Sequence, residues 1–262
     1  MIDPRQSSAV VARLRAAGCV FAEDEARLLL DATPDAGELG SLVDRRVAGE
    51  PLEHLLGWAE FRGLRVAVDP GVFVPRRRTG FLVQQAIGLA RPGAVVLDLC
   101  CGSGAVGLAV AAERRDVELH AADVDPVAVA CARRNIAAVG GRVHEGDLFG
   151  ALPSCLRRRV DVLVANVPYV PSGEIARMQP EARDHEPRAA LDGGPDGLDV
   201  ARRVVSGAPE WLAPGGSLLF ETSENQAPIA TALVRAGGLV PRVAGDDELG
   251  ATVVVGTLAL GR

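Results

Sequence analysis

Asn166-Val167-Pro168-Tyr169 gathers an amide, a stiffened backbone and an aromatic ring within four residues. The stretch follows Val160-Asp161-Val162-Leu163-Val164-Ala165, an apolar run broken only by Asp161, which reads as a buried strand. Open α/β sheets bind ligands at the carboxyl edge of their strands, so this strand would carry the three groups to a ligand. The Asn166 side-chain oxygen can take one N–H of a planar nitrogen. The main-chain carbonyl of Val167, stiffened by the fixed φ of Pro168, can take the other, and Tyr169 can lie against the plane. Held so, the nitrogen turns its lone pair to an electrophile, an arrangement suited to methyl transfer onto nitrogen. An amide nitrogen is a poor nucleophile, so proximity and alignment would supply the catalysis. Once methylated, the nitrogen sheds a proton readily and needs no strong base. A strand-end Asn before a proline turn is common, however, so the motif acquires meaning only from its surroundings.

Those surroundings hold a second cluster. Asp98-Leu99-Cys100-Cys101-Gly102-Ser103-Gly104 closes a predicted strand and leads into a helix. Gly102 and Gly104 would let the backbone approach a ligand closely, and the helix start supplies free N–H groups. A lone Gly-x-Gly is weak, since any tight strand-to-helix turn can carry it. The next strand ends in Asp123, about 20 residues on, where a carboxylate suits a pair of ribose hydroxyls. Asp147, in Gly146-Asp147-Leu148-Phe149, follows the third strand. It could accept from an adenine amino group with Leu148 flanking the ring, or merely cap a turn. Both NAD and S-adenosyl-L-methionine carry ribose. The nicotinamide pattern opens on glycine, whereas here Asp98 leads and Cys100 fills a usual glycine place. Carboxylates also suit a cationic sulfonium and ammonium. The expected cofactor is therefore S-adenosyl-L-methionine, with S-adenosyl-L-homocysteine as product, and Asn166 would border it as well as the substrate.

The elements that must position these residues follow from periodicity. Apolar residues at helical spacing over 8–31, divided at Gly18, predict two helices, and Leu39, Leu42, Val43 and Val47 predict a third. Leu64, Val66 and Val68 alternate as in a strand. A turn at Asp69-Pro70-Gly71 and a second strand at Val72-Phe73-Val74 would complete a hairpin. A helix over 79–90 follows. Strands are then expected at 94–99, 117–122, 141–145, 160–165, 216–221, 239–244 and 251–259, and helices at 104–114, 126–138, 198–212 and 225–236. This rhythm predicts an α/β fold with a seven-stranded, mostly parallel, doubly wound sheet. The last two strands are joined too tightly for a crossover, so the last should be antiparallel. That is the shape of a Rossmann-like class I methyltransferase with a small N-terminal helical domain. The expected divisions are a helical domain over 1–59, a hairpin linker over 60–85 and a cofactor-binding domain over 86–262.

Composition narrows the function classes. The chain has 262 residues, 48% of them hydrophobic but only 3% aromatic, so its core must be built of Ala, Val and Leu. The longest apolar runs are near eight residues, far short of a membrane span, and no secretory signal is visible, so a cytoplasmic protein is expected. Five cysteines without Cys-x-x-Cys spacing support neither a metal site nor a disulfide scaffold. A strained Cys100–Cys101 disulfide is less expected than two small residues in a tight loop. All 28 basic residues are Arg, yet the net charge is −6, which argues against broad capture of nucleic acid. Arg76-Arg77-Arg78, Arg133-Arg134 and Arg157-Arg158-Arg159 are local exceptions, and clusters of this kind are mostly solvated surface.

Taken together, the chain resembles the protein-glutamine methyltransferases of the release-factor type, from about residue 8 onward. The likeness rests on Gly49-Glu50-Pro51-Leu52, Glu60-Phe61-Arg62-Gly63-Leu64, Val74-Pro75-Arg76, the loop from Asp98 to Gly104, and Asn166 to Tyr169. His185-Glu186-Pro187, Ala190-Leu191, Gly193-Gly194 and Asp196-Gly197-Leu198 extend it. The resemblance implies a helical domain that docks the protein substrate and a Rossmann-like domain that binds S-adenosyl-L-methionine. It implies methylation of a glutamine side-chain amide in a peptide chain release factor. Asn166 with the Val167 and Pro168 backbone would then hold that amide, Tyr169 would pack beside it, and Arg76 would border the substrate. Three departures mark a divergent paralogue. The family's Pro-Arg-Pro-Glu-Thr-Glu run is Pro75-Arg76-Arg77-Arg78-Thr79-Gly80 here, with two acidic positions lost. Val167 replaces a proline, which costs little where the contribution is a carbonyl. The helical unit is also shorter by about one helical hairpin.

Several other residues bear on the site. His185 could border the substrate channel or simply lie on a surface loop after Tyr169. Glu221 could face the site from its strand end or sit at the surface. His54 and Trp58, four apart, would share a helical face, and His120 reads as a strand residue without chemistry. Two other functions compete with glutamine methylation. Asn-x-Pro-Tyr also grips exocyclic amines of adenine or cytosine, a reading that the Arg76–Arg78 cluster supports and net acidity opposes. The altered run over 77–80 alternatively suits a catalytically silent cofactor-binding regulator.

Overall fold

The computed structural model describes residues 4–33 and 35–260. Four helices come first: α1 (Pro4–Ala16), α2 (Ala22–Ala32), α3 (Ala36–Val47) and the short α4 (Leu52–Leu56). Leu14, Leu29, Leu39 and Val43 point inward and form a core separate from the rest. The helix ends follow local chemistry. Glu23, Asp24 and Glu25 occupy the first turn of α2, where negative charge complements the helix dipole. The Asp35 side chain accepts the Glu38 N–H as an N-cap for α3. The fourth helix was not foreseen, and it changes one expectation. His54 lies on α4 while Trp58 opens a strand, so the two share no helical face.

The hairpin exists but lies upstream of its expected place. Strand β1 (Trp58–Phe61) pairs antiparallel with β2 (Leu64–Ala67). Its turn is Arg62-Gly63, with φ of 51° and 74°, as a two-residue hairpin turn demands. Arginine is an uncommon choice at positive φ. Here Nη1 of Arg62 donates to the Gly80 carbonyl at 3.0 Å and Nη2 pairs with Glu113 at 2.6 Å, which hold it in place. Val72 and Val74 are buried, but residues 72–74 join no strand. Side chains satisfy their backbone instead: His54 Nε2 donates to the Val72 carbonyl at 2.8 Å, and the Val74 N–H donates to Glu186 at 3.2 Å.

The remainder alternates strands and helices. In order come α5 (Gly80–Leu89), β3 (Val95–Leu99), α6 (Ala105–Glu113), β4 (Glu118–Asp123), α7 (Pro126–Ile136), β5 (Arg142–Glu145) and β6 (Val160–Ala165). Two short helices follow, α8 (Pro180–His185) and α9 (Arg188–Leu191). They lie in the stretch after Tyr169 that reads from sequence as a plain loop. Then come α10 (Asp199–Trp211), β7 (Leu212–Thr222), α11 (Ala227–Ala236), β8 (Leu239–Asp246) and β9 (Ala251–Leu258). The seven strands from β3 onward form one sheet in the order β5-β4-β3-β6-β7-β9-β8. Strand β9 runs antiparallel to both β7 and β8, and the other pairings are parallel.

Burial on both faces explains why the inner strands β3 and β6 are nearly continuous in apolar residues. Val96, Ala121, Val162, Val164 and Leu219 pack toward α5 and α6. Leu97, Leu99, Leu163, Ala165 and Phe220 pack toward α10 and α11. Asp161 interrupts its run because its carboxylate accepts the Val95 N–H at 2.8 Å, tying β6 to the start of β3. The chain leaves β3 for β4 and β5 on one side and returns to β6 on the other. The carboxyl ends of β3 and β6 therefore flank the topological switch point, where open sheets leave a crevice.

Candidate active site

Leu99 pairs with Ala165 in the β3–β6 register, so Asp98 and Asn166 come to the same edge of the sheet. A cavity of about 250 Å³ opens there. Asp98, Cys100, Gly102, Asp123, Asp147, Leu148, Asn166, Val167, Pro168, Tyr169 and Arg76 all line it. Gly104 alone among the expected residues does not. A Cβ there would come within 3.2 Å of Ala132 and Ile136, so its bareness serves the packing of α6 on α7.

One half of the cavity is braced by backbone. Asp98 is 1% exposed, and its Oδ2 accepts the Gly107 N–H at 2.8 Å. A Cβ on Gly107 would lie 3.1 Å from the Asp98 side chain and 3.0 Å from Leu119, so glycine eases that approach. Burial pushes the Asp98 carboxyl up to about 8, with the Asp123 charge adding to the shift and the Gly107 N–H opposing it. Asp123 accepts the Gly102 N–H on Oδ2 at 2.8 Å and the Asp125 N–H on Oδ1 at 3.0 Å. Cys100 adopts φ of 57°, a left-handed conformation that glycine favours. Its thiol is free, as is that of Cys101, and burial raises both far above the usual thiol range. Asp147 is ion-paired with Arg203 at 2.5 Å at the cavity mouth.

Distant side chains brace the other half. Glu221, at the end of β7, is only 2% exposed. Its Oε1 accepts from the Tyr169 hydroxyl and from Arg78 Nε, each at 2.9 Å, and its Oε2 accepts from Thr79 Oγ1 at 2.8 Å. Arg78 Nη2 also donates to the Tyr169 hydroxyl. Burial and the Glu221 charge raise the Tyr169 hydroxyl well above the ordinary phenol range, against the pull of Arg78. Gln226 Nε2 donates to the Tyr169 carbonyl at 2.9 Å. Arg76 pairs with the buried Glu186 at 2.6 Å, whose carboxyl burial raises despite that cation. Pro187, Ala190 and Leu191, from the stretch holding α8 and α9, cover the cavity. His185 is not among its lining residues and faces Gly49 instead. His120 is buried within the sheet, between His144 at 2.9 Å and Glu118 at 3.1 Å.

Two oxygens test what the cavity could hold. Among the described residues, Asp98 Oδ1 and Asn166 Oδ1 are the buried side-chain polar atoms without a hydrogen-bond partner. Buried polar atoms are nearly always satisfied, so a pair of open acceptors at one sheet edge suits a ligand that brings donors or positive charge. S-adenosyl-L-methionine, with its ammonium, sulfonium and ribose hydroxyls, fits that demand. Sequence reading missed Gly107, Arg203, and the pairing of Arg78 with Glu221. A glycine inside an apolar helix was the available signal for the first, whereas the other contacts join residues too far apart to be read locally. No group of His, Cys, Asp and Glu suited to a metal occurs among the described residues.

Comparisons with known proteins agree with this geometry. Residues 63–182 match the family described as Methyltransferase small domain. The release factor glutamine methyltransferase of Geobacter sulfurreducens is 41% identical, over 82% of this chain and 75% of that protein. The protein of the same name from Cereibacter sphaeroides is 36% identical, over 92% of this chain and 94% of its own. Among solved structures, a methyltransferase from Pyrococcus furiosus superposes with a TM-score of 0.57 at 16% identity, covering 76% of this chain and 91% of that one. That last likeness establishes the sheet and its helices.

Proposed function

The chain belongs to the release factor glutamine methyltransferase family, and we propose that it methylates a glutamine side-chain amide of a peptide chain release factor. The observation that carries this reading is the buried, unpartnered Asn166 Oδ1 at the switch-point edge, lining one cavity with Asp98 and Asp123. S-adenosyl-L-methionine, when bound, supplies an electrophilic methyl on a sulfonium and leaves as S-adenosyl-L-homocysteine. Asp98 would hold a cationic part of it, Asp123 its ribose, and Asp147 with Leu148 its adenine. The loop of Cys100 and Gly102 would lie along it.

In the transfer half, Asn166 Oδ1 would accept one amide N–H and the Val167 carbonyl the other, with Pro168 keeping that carbonyl in place. Both acceptors pull on the N–H bonds and turn the lone pair toward the donor. The nitrogen would take the methyl group, and the proton it then carries in excess would leave to solvent. Preorganised acceptors aimed at a developing cation cost no reorganisation during the reaction. The helical unit over 1–59 would dock the protein substrate, and the segment over 60–85 joins it to the catalytic part over 86–262. No described helix is long and apolar enough to cross a membrane, which suits a cytoplasmic enzyme.

Arg76 and Arg78 are the cations that would favour a nucleic-acid substrate. Each is paired with a buried carboxylate, which weakens that alternative. The open acceptors of Asp98 and Asn166 weigh against a silent regulator. The test is transfer of labelled methyl from S-adenosyl-L-methionine to purified release factor, with mass spectrometry of the modified residue. Label on glutamine supports the reading; label in added nucleic acid, or none despite tight cofactor binding, overturns it.

A further inference from the structure

The run over 77–80 is where the chain departs from its family's pattern, and the structure gives that departure a use. Residues Arg77–Thr79 form a single 3₁₀ turn before α5. From it Arg78 reaches across 143 residues of sequence to Glu221. Its guanidinium carbon lies 5.7 Å from the Tyr169 ring centroid, beyond the hydroxyl end of the ring to which Nη2 donates. The hydroxyl in turn donates to the Glu221 oxygen that Arg78 Nε engages. Arginine, carboxylate and phenol thus close a three-membered ring of contacts, and Thr79 takes the remaining carboxylate oxygen.

We propose that Arg78 is a positioning residue for the transfer, fixing the Tyr169 ring against the nitrogen-bearing group of the substrate. The inference rests on the reading that Tyr169 borders that substrate. A phenol held by one acceptor can still swing about its side-chain torsions. One that donates to a fixed carboxylate and accepts from a fixed guanidinium cannot. The backbone end of Tyr169 is pinned as well, since its carbonyl accepts from Gln226. Glu221 cannot do this alone, because a buried carboxylate needs a counter-charge and satisfied lone pairs. Arg78 provides the charge, and its planar fork serves two oxygens at once, which a lysine ammonium does not reproduce. The side chain is 47% exposed and lines the cavity.

Tyr169 is the one tyrosine of the chain, so ¹³Cζ-tyrosine labelling yields a single resonance that reports on this ring. Glu221→Gln removes the anion while leaving Arg78 beside the hydroxyl. In that variant the tyrosine should ionise below its value in the parent, with burial still holding it above the ordinary value of about 10. Adding Arg78→Ala should raise that value by about one unit, because a neighbouring cation has been removed. An unchanged titration in the double variant overturns the contact. Kinetically, Arg78→Lys should lower kcat roughly five- to twentyfold with KM for S-adenosyl-L-methionine unchanged, as expected for lost alignment. A kcat within about twofold of the parent overturns the positioning role. Asn166→Ala, assayed in parallel, separates the two ideas. If it keeps full transfer, the reading of the site fails. If it is inactive while Arg78→Lys keeps full rate, only the positioning role fails.

Discussion

The two halves of the cavity are built by different means. At the ends of β3 and β4, backbone N–H groups set the carboxylates: Gly107 to Asp98, Gly102 and Asp125 to Asp123. The partners are at most 21 residues apart. At the ends of β6 and β7, side chains set one another: Arg78, Thr79 and Tyr169 on Glu221, and Gln226 on the Tyr169 backbone. Those partners are 52 to 143 residues apart. A half held by its own backbone depends on local conformation and withstands change elsewhere. A half held by remote side chains can be retuned by single substitutions. Arg78 and Thr79, which meet Glu221 from outside the sheet, belong to this second kind.

The contrast can be broken or sharpened by four measurements. Asn166→Ala should have the largest effect, lowering transfer by about 10³-fold or more while changing cofactor affinity little. Calorimetry that shows a large loss of cofactor binding would mean that the two halves are not separable. Next comes pH. The fold raises Asp98 from 3.8 to about 8, so it favours the protonated form. That contribution to stability is complete below the ordinary value and is lost as pH rises through about 8. The ligand-free protein should therefore melt at lower temperature from pH 4 to 8, and Asp98→Asn should remove the slope. A cationic cofactor needs the ionised form. Its affinity should then climb by up to about tenfold per pH unit below 8, with proton release visible as a buffer-dependent heat. A flat profile would place the cationic end elsewhere.

Gly107→Ala should destabilise the protein by about 1–3 kcal/mol through overpacking on Asp98 and Leu119. It should weaken cofactor binding and leave kcat at saturating cofactor nearly intact, a split readable by denaturant melts and steady-state kinetics. The smallest effect belongs to Arg203→Ala. Its pairing with Asp147 is more than half exposed on both sides, so cofactor affinity should move by less than about 1 kcal/mol. A larger loss would make Arg203 a direct contact.

The same division explains what was legible in the sequence. The inner strands β3, β6 and β9 were readable because burial on both faces leaves near-continuous Val, Leu and Ala, and the little-buried edge strands β5 and β8 from the strand–helix rhythm. The short link between β8 and β9 gave the antiparallel end. Asp98, Asp123 and Asn166 were readable because each sits at a strand end. The hairpin was misplaced because Asp69-Pro70-Gly71 is the stronger turn signal, while the real turn puts Arg62 at positive φ and holds it with contacts from Gly80 and Glu113. Glu221 remained ambiguous because its partners come from Arg78, Thr79 and Tyr169, a meeting that only the sheet order arranges. The helices α8 and α9 are too short for periodicity to show.

Strand β9 lies between β7 and β8 although it follows both in the chain. During synthesis β8 therefore emerges with nothing to pair with, and β7 waits with an open edge carrying Leu218, Leu219 and Phe220. An unpaired apolar edge is a template for association with other chains, and such intermediates are where large α/β proteins go astray. The nascent protein is thus most vulnerable just before its sheet is sealed. Glu221, on that same open edge, gains its cross-strand partner Val253 only when β9 arrives.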